Sequence, residues 1–506
     1  MKLLPRVALL AAALVVSASP AFSTWSIVAV NTRTREVCVA GATCLANFNL
    51  RLNLPVVRPG LGGGVSQALV DTTGGNRQAI WNGLAAGLSP QQILQQLSGL
   101  SLFQQRQFGI VDFGNAPVTF TGTQTAAANL GVAGIDGEWR YAIQGNILID
   151  NQVVYAAEQA FLGTTGDIGQ KVMAAMEAAR FWGGDGRCSC DPNQPTSCPV
   201  PPPEPFFSAY TGFFIIARVG DTGGSVCNSS SGCAQGQMYA TFNAIGNQTT
   251  LDPVVRLRGL YDSWRAALAG RPDHIKSEVL ADRAALVADG RSKAAVKLVL
   301  RDVEGVRLAN GGASVTLQPV GAAAASASAV LDNGDGSYSF QLAAGSSAGL
   351  ARYRIVVNDG VSPVQLYPDL TLRVDPLVPL HAGFDSISAA NPQAVPLVVN
   401  AGADTNRRVL LLLGTNAGTS PGFPLGTTTL PLNASPLLRH TLTNAGGPSL
   451  AGTFGELDAT GHAEAWFTPP PELLPFLAGT RVEWSGVVFT PTGRVALPLA
   501  GFDVLP

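Results

Sequence analysis

The spacing of apolar positions changes along the chain. Residues 24–31 (T-W-S-I-V-A-V-N) and 36–45 (E-V-C-V-A-G-A-T-C-L) are strand-like and flank the turn T-R-T-R, which predicts a hairpin. A Gly-rich turn, G-L-G-G-G, precedes a short strand at 65–70. A helix is expected at about 76–87, and a second opens on Ser89 as N-cap with Pro90 at its first position. Strands follow near 106–112 and 116–121, then helices over 151–162 and 167–182. The last of these opens on Asp167 and carries Val172, Met173, Met176 and Ala179 at helical spacing. A long strand covers 211–219. Strands and helices in this order predict one layered α+β unit over 24–270. After a linker at 271–281, helical periodicity vanishes. Short alternating strands recur between D-G and N-G turns over 282–375, and a Pro-punctuated β pattern continues over 377–506, with strands near 408–413 and 482–489.

The first 23 residues have a different pattern. Lys2 and Arg6 precede a twelve-residue apolar region, Val7 to Ala18, interrupted by Ser17, and Ala21 and Ser23 are the small residues of a cleavage site before Thr24. Twelve residues are too few to span a bilayer core of ~30 Å, and no later stretch reaches the ~18 apolar residues of a span. The expectation is a signal peptide cut between Ser23 and Thr24, a secreted, periplasmic or extracellular protein, and no membrane span in the mature chain.

Export permits disulfides. Cys227 and Cys233 bracket the short loop N-S-S-S-G, while Cys188, Cys190 and Cys198 surround a Pro-rich excursion. Cys38 and Cys44 lie on one expected strand, roughly 20 Å apart, too far to pair unless the chain bends at Gly41. Seven cysteines is an odd number, so at least one thiol stays free or pairs between chains.

Composition narrows the classes further. The 506 residues suit two to four domains. With 46% hydrophobic and 13% charged residues, 57 glycines and 34 prolines, the chain is neither a charged disordered polymer nor a coiled coil. A net charge of −2 offers no general attraction for nucleic acid. All four histidines lie after residue 270, and Lys171 is the only lysine between 24 and 270. That segment therefore has no histidine of its own for a Ser-His-Asp triad, a Cys-His dyad or a His-ligated zinc site. No metal and no cofactor is expected.

An N-terminal threonine needs no histidine. Its hydroxyl requires a base within reach, and its own α-amine, with a pKa of about 7.7–8.0, supplies one. Cleavage before Thr24 creates this arrangement at the start of a strand. T-W-S-I-V-A-V-N at 24–31, R-Q-F-G-I-V-D at 106–112, T-G at 121–122, Q-G-N-I-L at 144–148 and A-x-E-A-A-x-x-x-G-G-D-G-R at 175–187 together resemble domain of unknown function 1028. That family is placed in the N-terminal-nucleophile hydrolase superfamily. The resemblance implies a four-layer αββα sandwich and, by analogy, amide cleavage with Thr24 as nucleophile. Gln67, Gln144 and Asn146 are then the candidate oxyanion donors. Asp185 would orient the α-amine or bind substrate, and Arg187 would pair with Asp185 or clamp an anion. The chain departs from the family after G-G-D-G-R: Cys188 replaces a glycine, about 20 residues intervene before Ser208-Ala209, and Phe207 replaces a glutamine.

Further along, Asp289-Gly290, Asp302, Gly305 and D-G-S-Y-S-F at 335–340 resemble a bacterial immunoglobulin-like domain, which implies an all-β sandwich over 282–375. The region after 377 is read as a second all-β module. Three readings of the whole follow. The first is an exported amidohydrolase acting on a small-molecule or peptide-like amide. The second is a non-catalytic surface or binding protein that keeps the fold and touches a cell surface or extracellular matrix through its β modules. The third is a thiol redox or metal protein built on C-S-C.

Overall fold

The computed structural model describes residues 24–402, 404–415, 418 and 420–506, and the expected signal peptide lies outside the described residues. The chain forms two compact units, one ending at Ala267 and one running from Leu268 to Pro506.

The strands of the first unit are β1 (Thr24–Asn31), β2 (Val37–Thr43), β3 (Pro55–Arg58), β4 (Gly62–Ala68), β5 (Arg106–Asp112), β6 (Val118–Thr121), β7 (Leu130–Asp136), β8 (Trp139–Asn146), β9 (Thr211–Ala217) and β10 (Ala240–Ala244). Its main helices are α1 (Gly75–Ala85), α2 (Pro90–Ser98), α3 (Gln152–Gly163), α4 (Ile168–Phe181) and α5 (Pro253–Ala266). One sheet runs β10-β9-β2-β1-β8-β7 and the other β3-β4-β5-β6. Every residue of β1 is buried because both of its faces are covered. Trp25, Ile27 and Ala29 pack with Val153, Phe161, Val172, Met176 and Leu257 of α3, α4 and α5. Val28 and Val30 pack with Val57, Val65 and Val111 of the smaller sheet. The far face of that smaller sheet, through Val56, Phe108 and Ile110, covers Ile80 and Leu84 of α1 and Ile93 and Leu97 of α2. Each fully buried Val, Leu, Ile, Phe or Met side chain among them contributes about 1.5–3 kcal/mol.

Local signals set several ends. Ser89 and Gln92 form a capping box on α2, and Asp167 and Gln170 form another on α4. The expected turn G-L-G-G-G is strand from Gly62 onward, because neighbouring elements come too close for side chains. A Cβ at Gly64 would sit 2.9 Å from Ile80 Cγ2, and one at Gly62 would sit 2.4 Å from Val111 O. Helix α5 was not among the expected elements. Its opening, Asp252 capping Val254 N with Pro253 at the first position, is the same kind of signal that marks α2.

In the second unit, strand Glu278–Ala281 pairs with Lys293–Val299, so the expected linker already contributes to a sheet. Two five-stranded sheets enclose Val296, Leu298, Phe340, Leu342, Ile355, Val357, Leu372 and Val374. The alternation of Lys293–Val299 follows from having one face in that core and one in solvent. Asp302 Oδ1 accepts from the N–H of Glu304 and Val306, and Gly305 takes φ +80°, which explains the D-x-x-G spacing. A further pair of sheets closes over Phe467, Trp484 and Phe502. Helical structure does not vanish here: Pro436–Asn444 is a nine-residue helix capped by Ser435, burying Leu437, Leu438 and Thr441.

Candidate active site

Successive side chains of a strand point to opposite faces. Along β1, Ser26, Val28 and Val30 face the smaller sheet. Val28 and Val30 meet valines, but the end of the strand nearest Thr24 meets amides. Register places Thr24 opposite Asn146 and Ser26 opposite Gln144. On the facing sheet Gln67 lies opposite Gln107. These six residues are at most 2% exposed.

The polar groups bond to one another within and across the two sheets. Gln67 Nε2 donates to Thr24 O at 3.1 Å and to Gln107 Oε1 at 2.7 Å. Ser26 Oγ donates to Gln67 Oε1 at 2.6 Å and accepts from Gln144 Nε2 at 2.7 Å. Asn146 Nδ2 donates to Gln107 Oε1 at 3.3 Å. Gln107 Nε2 reaches Thr121 Oγ1 at 2.9 Å, Gly145 O at 2.9 Å and Leu130 O at 3.1 Å. Gly109 makes room for this arrangement, since a Cβ there would lie 2.1 Å from Gln144 Oε1.

The structure therefore gathers Thr24, Gln67, Gln144 and Asn146, and it spends the amide N–H groups of Gln67 and Gln144 inside the network. These two side chains hold the strand that carries Thr24, and their N–H groups are bonded within the network. Sequence reasoning missed Gln107 and Ser26. The available signal was a polar residue on the inward-facing period of an otherwise apolar strand.

Above Thr24 the chain closes over. Leu45, Phe48, Leu50, Asn53 and Leu54 join Ser66, Gln67, Ala68 and Val70 around a free volume of about 10 Å³, near the minimum that one water needs. The covering segment is anchored by Thr211 Oγ1 to Leu45 O at 2.9 Å, Asn47 N to Gly246 O at 2.7 Å and Asn243 Nδ2 to Asn49 Oδ1 at 3.0 Å. The guanidinium of Arg77 also donates to Leu52 O and is itself paired with Asp71 at 3.5 Å, both side chains fully buried.

Asp185 and Arg187 lie at the Thr24 end of the larger sheet. Gly186 N donates to Ile147 O, and Leu148 bridges to Asp185 just past Asn146. The fully buried Asp185 carboxylate accepts from Cys44 N at 2.7 Å, Arg187 N at 3.1 Å and Arg187 Nη2 at 2.9 Å. It is committed to Cys44 and Arg187. Cys44, one residue beyond β2, is disulfide-bonded to Cys188. The insertion after Cys188 is closed by Cys190–Cys198 and leans on this corner: a Cβ on Gly186 would lie 2.2 Å from Pro195 O. Cys227 pairs with Cys233. With Cys190 and Cys188 both in disulfides, C-S-C presents no thiol. The free thiol is Cys38, fully buried on β2, where burial and the nearby Glu36 raise its pKa well above the usual range.

Lys171 stays away from Thr24. Its ammonium caps the carboxyl end of α3 through Phe161 O at 2.9 Å, between the rings of Trp139 and Phe161, and burial lowers its pKa. Among the described residues there is no cluster of three or more His, Cys, Asp or Glu fit to hold a metal, and no helix is long and apolar enough to cross a membrane.

Residues 24–191 match the model of a family of unknown function, DUF1028, with the match starting at Thr24, and residues 273–366 match invasin domain 3. No curated protein matches the chain. Among solved structures, a Silicibacter pomeroyi protein described by the same DUF1028 model is 18% identical, with TM-score 0.35, covering 48% of this chain and 88% of that one. The Yersinia pseudotuberculosis adhesin InvE is 18% identical, with TM-score 0.17, over 45% of this chain and 59% of that one. Invasin, described as a bacterial integrin-binding protein, is 13% identical, with TM-score 0.19, over 59% of this chain and 46% of that one. The chain thus spans less than two thirds of the length of the last two.

Proposed function

We propose that this chain, which joins a DUF1028 domain to an invasin-type immunoglobulin-like module, is an exported amide-bond hydrolase of the N-terminal-nucleophile kind, with Thr24 as nucleophile after cleavage at Ser23. The observation that carries the reading is the position of Thr24: it opens the central strand, at the residue where the family match begins, over a buried network of neutral amides. The stacking of helices on both outer faces of two packed sheets supports a four-layer αββα arrangement.

In this reading the Thr24 Oγ forms a bond to the substrate carbonyl carbon while its proton passes to the neutral α-amine. Backbone N–H groups beside Thr24 and Asn146 are the candidates for holding the oxyanion. The C–N bond then breaks, with the proton moving from the α-amine to the leaving nitrogen. Water cleaves the resulting ester, releases the acid and restores the hydroxyl. Asp185 acts here as a positioning residue, fixing Arg187 and the Cys44 N–H beside the site. Substrate entry requires the segment 45–54 to move, because the space over Thr24 is about 10 Å³.

That closure favours a second reading, a non-catalytic protein that uses the domain as a binding or structural platform. The invasin-domain match supports an extracellular or periplasmic location and contact with a cell surface or extracellular matrix. Intact mass of the exported protein and an amide-substrate panel with Thr24→Ala separate the two. A mature chain beginning at Thr24, with hydrolysis lost in the variant, supports the enzyme. A longer or blocked N-terminus removes the mechanism.

A further inference from the structure

Gln107 is one of the points where the two sheets are tied beneath Thr24. Its side chain leaves β5 on the face toward the larger sheet and is fully buried. Its two ends do opposite work. Oε1 accepts from Gln67 Nε2 at 2.7 Å and Asn146 Nδ2 at 3.3 Å. Nε2 donates toward Thr121 Oγ1, Gly145 O and Leu130 O, at 2.9, 2.9 and 3.1 Å. Two of those acceptors are carbonyls, which cannot donate, so the orientation of the amide follows from its surroundings.

We infer that Gln107 is the positioning residue of the Thr24 site, a role that rests on Thr24 being the reactive residue. It holds the Gln67 amide against Thr24 O and the Asn146 amide beside the same residue, so that the nucleophile and its cross-strand partner keep one relative position. Gln107 acts through Gln67 and Asn146. No other side chain of this length supplies both ends. Glutamate lacks the donor for three oxygens and brings a charge into a buried site. Methionine has the length but leaves every partner unpaired.

The test compares mature protein beginning at Thr24 with Gln107→Glu and Gln107→Met. The first readout needs no substrate: the titration midpoint of the Thr24 α-amine, followed by NMR. The midpoint should shift in Gln107→Met while near-ultraviolet circular dichroism stays that of the parent. The side-chain amide signals of Gln67 and Asn146 in Gln107→Glu should return toward those of the parent on acidification, because a protonated carboxyl again offers one donor and one acceptor; in Gln107→Met they should not. The second readout is amide hydrolysis, where kcat should fall by about 100-fold with KM little changed.

Parent-like midpoints in both folded variants overturn the inference, whatever the activity. Inactivity of the parent and of Thr24→Ala on every amide instead removes the hydrolase reading and with it the catalytic sense of the role, and the midpoint then decides only whether Gln107 sets the position of the Thr24 amine. Should Gln107→Met not fold, Thr121→Val removes a single acceptor at the outer end of the network and should shift the midpoint in the same direction.

Discussion

Replacing Cys44 and Cys188 together by serine removes a cross-link between residues 144 apart in sequence. In the chain-entropy treatment, closing a loop of that length costs the unfolded chain about 17 cal/mol/K, worth about 5 kcal/mol at 25 °C. The same arithmetic gives about 2.5 kcal/mol for Cys190–Cys198, separated by 8 residues, and about 2 kcal/mol for Cys227–Cys233, separated by 6. The serine pair should therefore destabilise the first unit by about twice as much as either of the other double replacements. It should also raise the urea m-value, because the unfolded chain loses its longest closed loop and expands. Hydrogen exchange at increasing urea, read on peptides from β1 and β8, isolates the first unit from the second. If the Cys44/Cys188 variant loses less stability than the Cys190/Cys198 variant, the loop-closure argument is wrong for this domain. If its m-value also falls, the bond is acting on the native state instead.

Other perturbations test separate parts of the structure. Asp71→Ala leaves Arg77 buried without its carboxylate and should cost about 3–5 kcal/mol in urea unfolding; a loss under 1 kcal/mol would show that the pair contributes little there. Gly109→Ala should cost about 1–3 kcal/mol by displacing Gln144, and much of that should return with Gln144→Ala in the same chain. Additive losses would refute the contact.

Acidification should weaken the second unit through three aspartates. Burial pushes the Asp273 pKa up, but His274 and the N–H groups of Ile275 and Lys276 outweigh it and hold the carboxyl well below its usual range. Arg373 lowers Asp385, and the Thr460 hydroxyl with the His462 N–H holds Asp458 down to about 2. A depressed folded pKa stabilises fully above the unfolded value of ~3.9 and is lost as pH falls through the folded value. The urea midpoint of this unit should be flat above about pH 5 and drop between about pH 4 and 2; an unchanged midpoint across that window would refute it.

Much of the local structure was legible because its causes are local. The runs at 24–31 and 106–112 read as strands, and Ser89-Pro90 and Asp167 marked helix starts through caps spanning three or four residues. Gly62–Gly64 misled, since glycines in series read as a turn, whereas here they let β4 lie close to Ile80 and Val111. Helix Pro436–Asn444 was lost in a region that otherwise alternates.

The sequence by itself determined that any catalysis in the first domain would have to work without a histidine of that segment, and it singled out Thr24. It also selected Gln67, Gln144 and Asn146, without their roles. Only the tertiary structure decided that Gln67 and Gln144 spend their N–H groups on Thr24 O, Ser26 and Gln107, that Gln107 joins them, and that Cys44 pairs with Cys188. The partners that join the two sheets lie 23 or more residues apart, 41 in the case of Ser26 and Gln67. Their hydrogen bonds exist only when both sheets are packed face to face, so no window along the chain contains both ends of any of them.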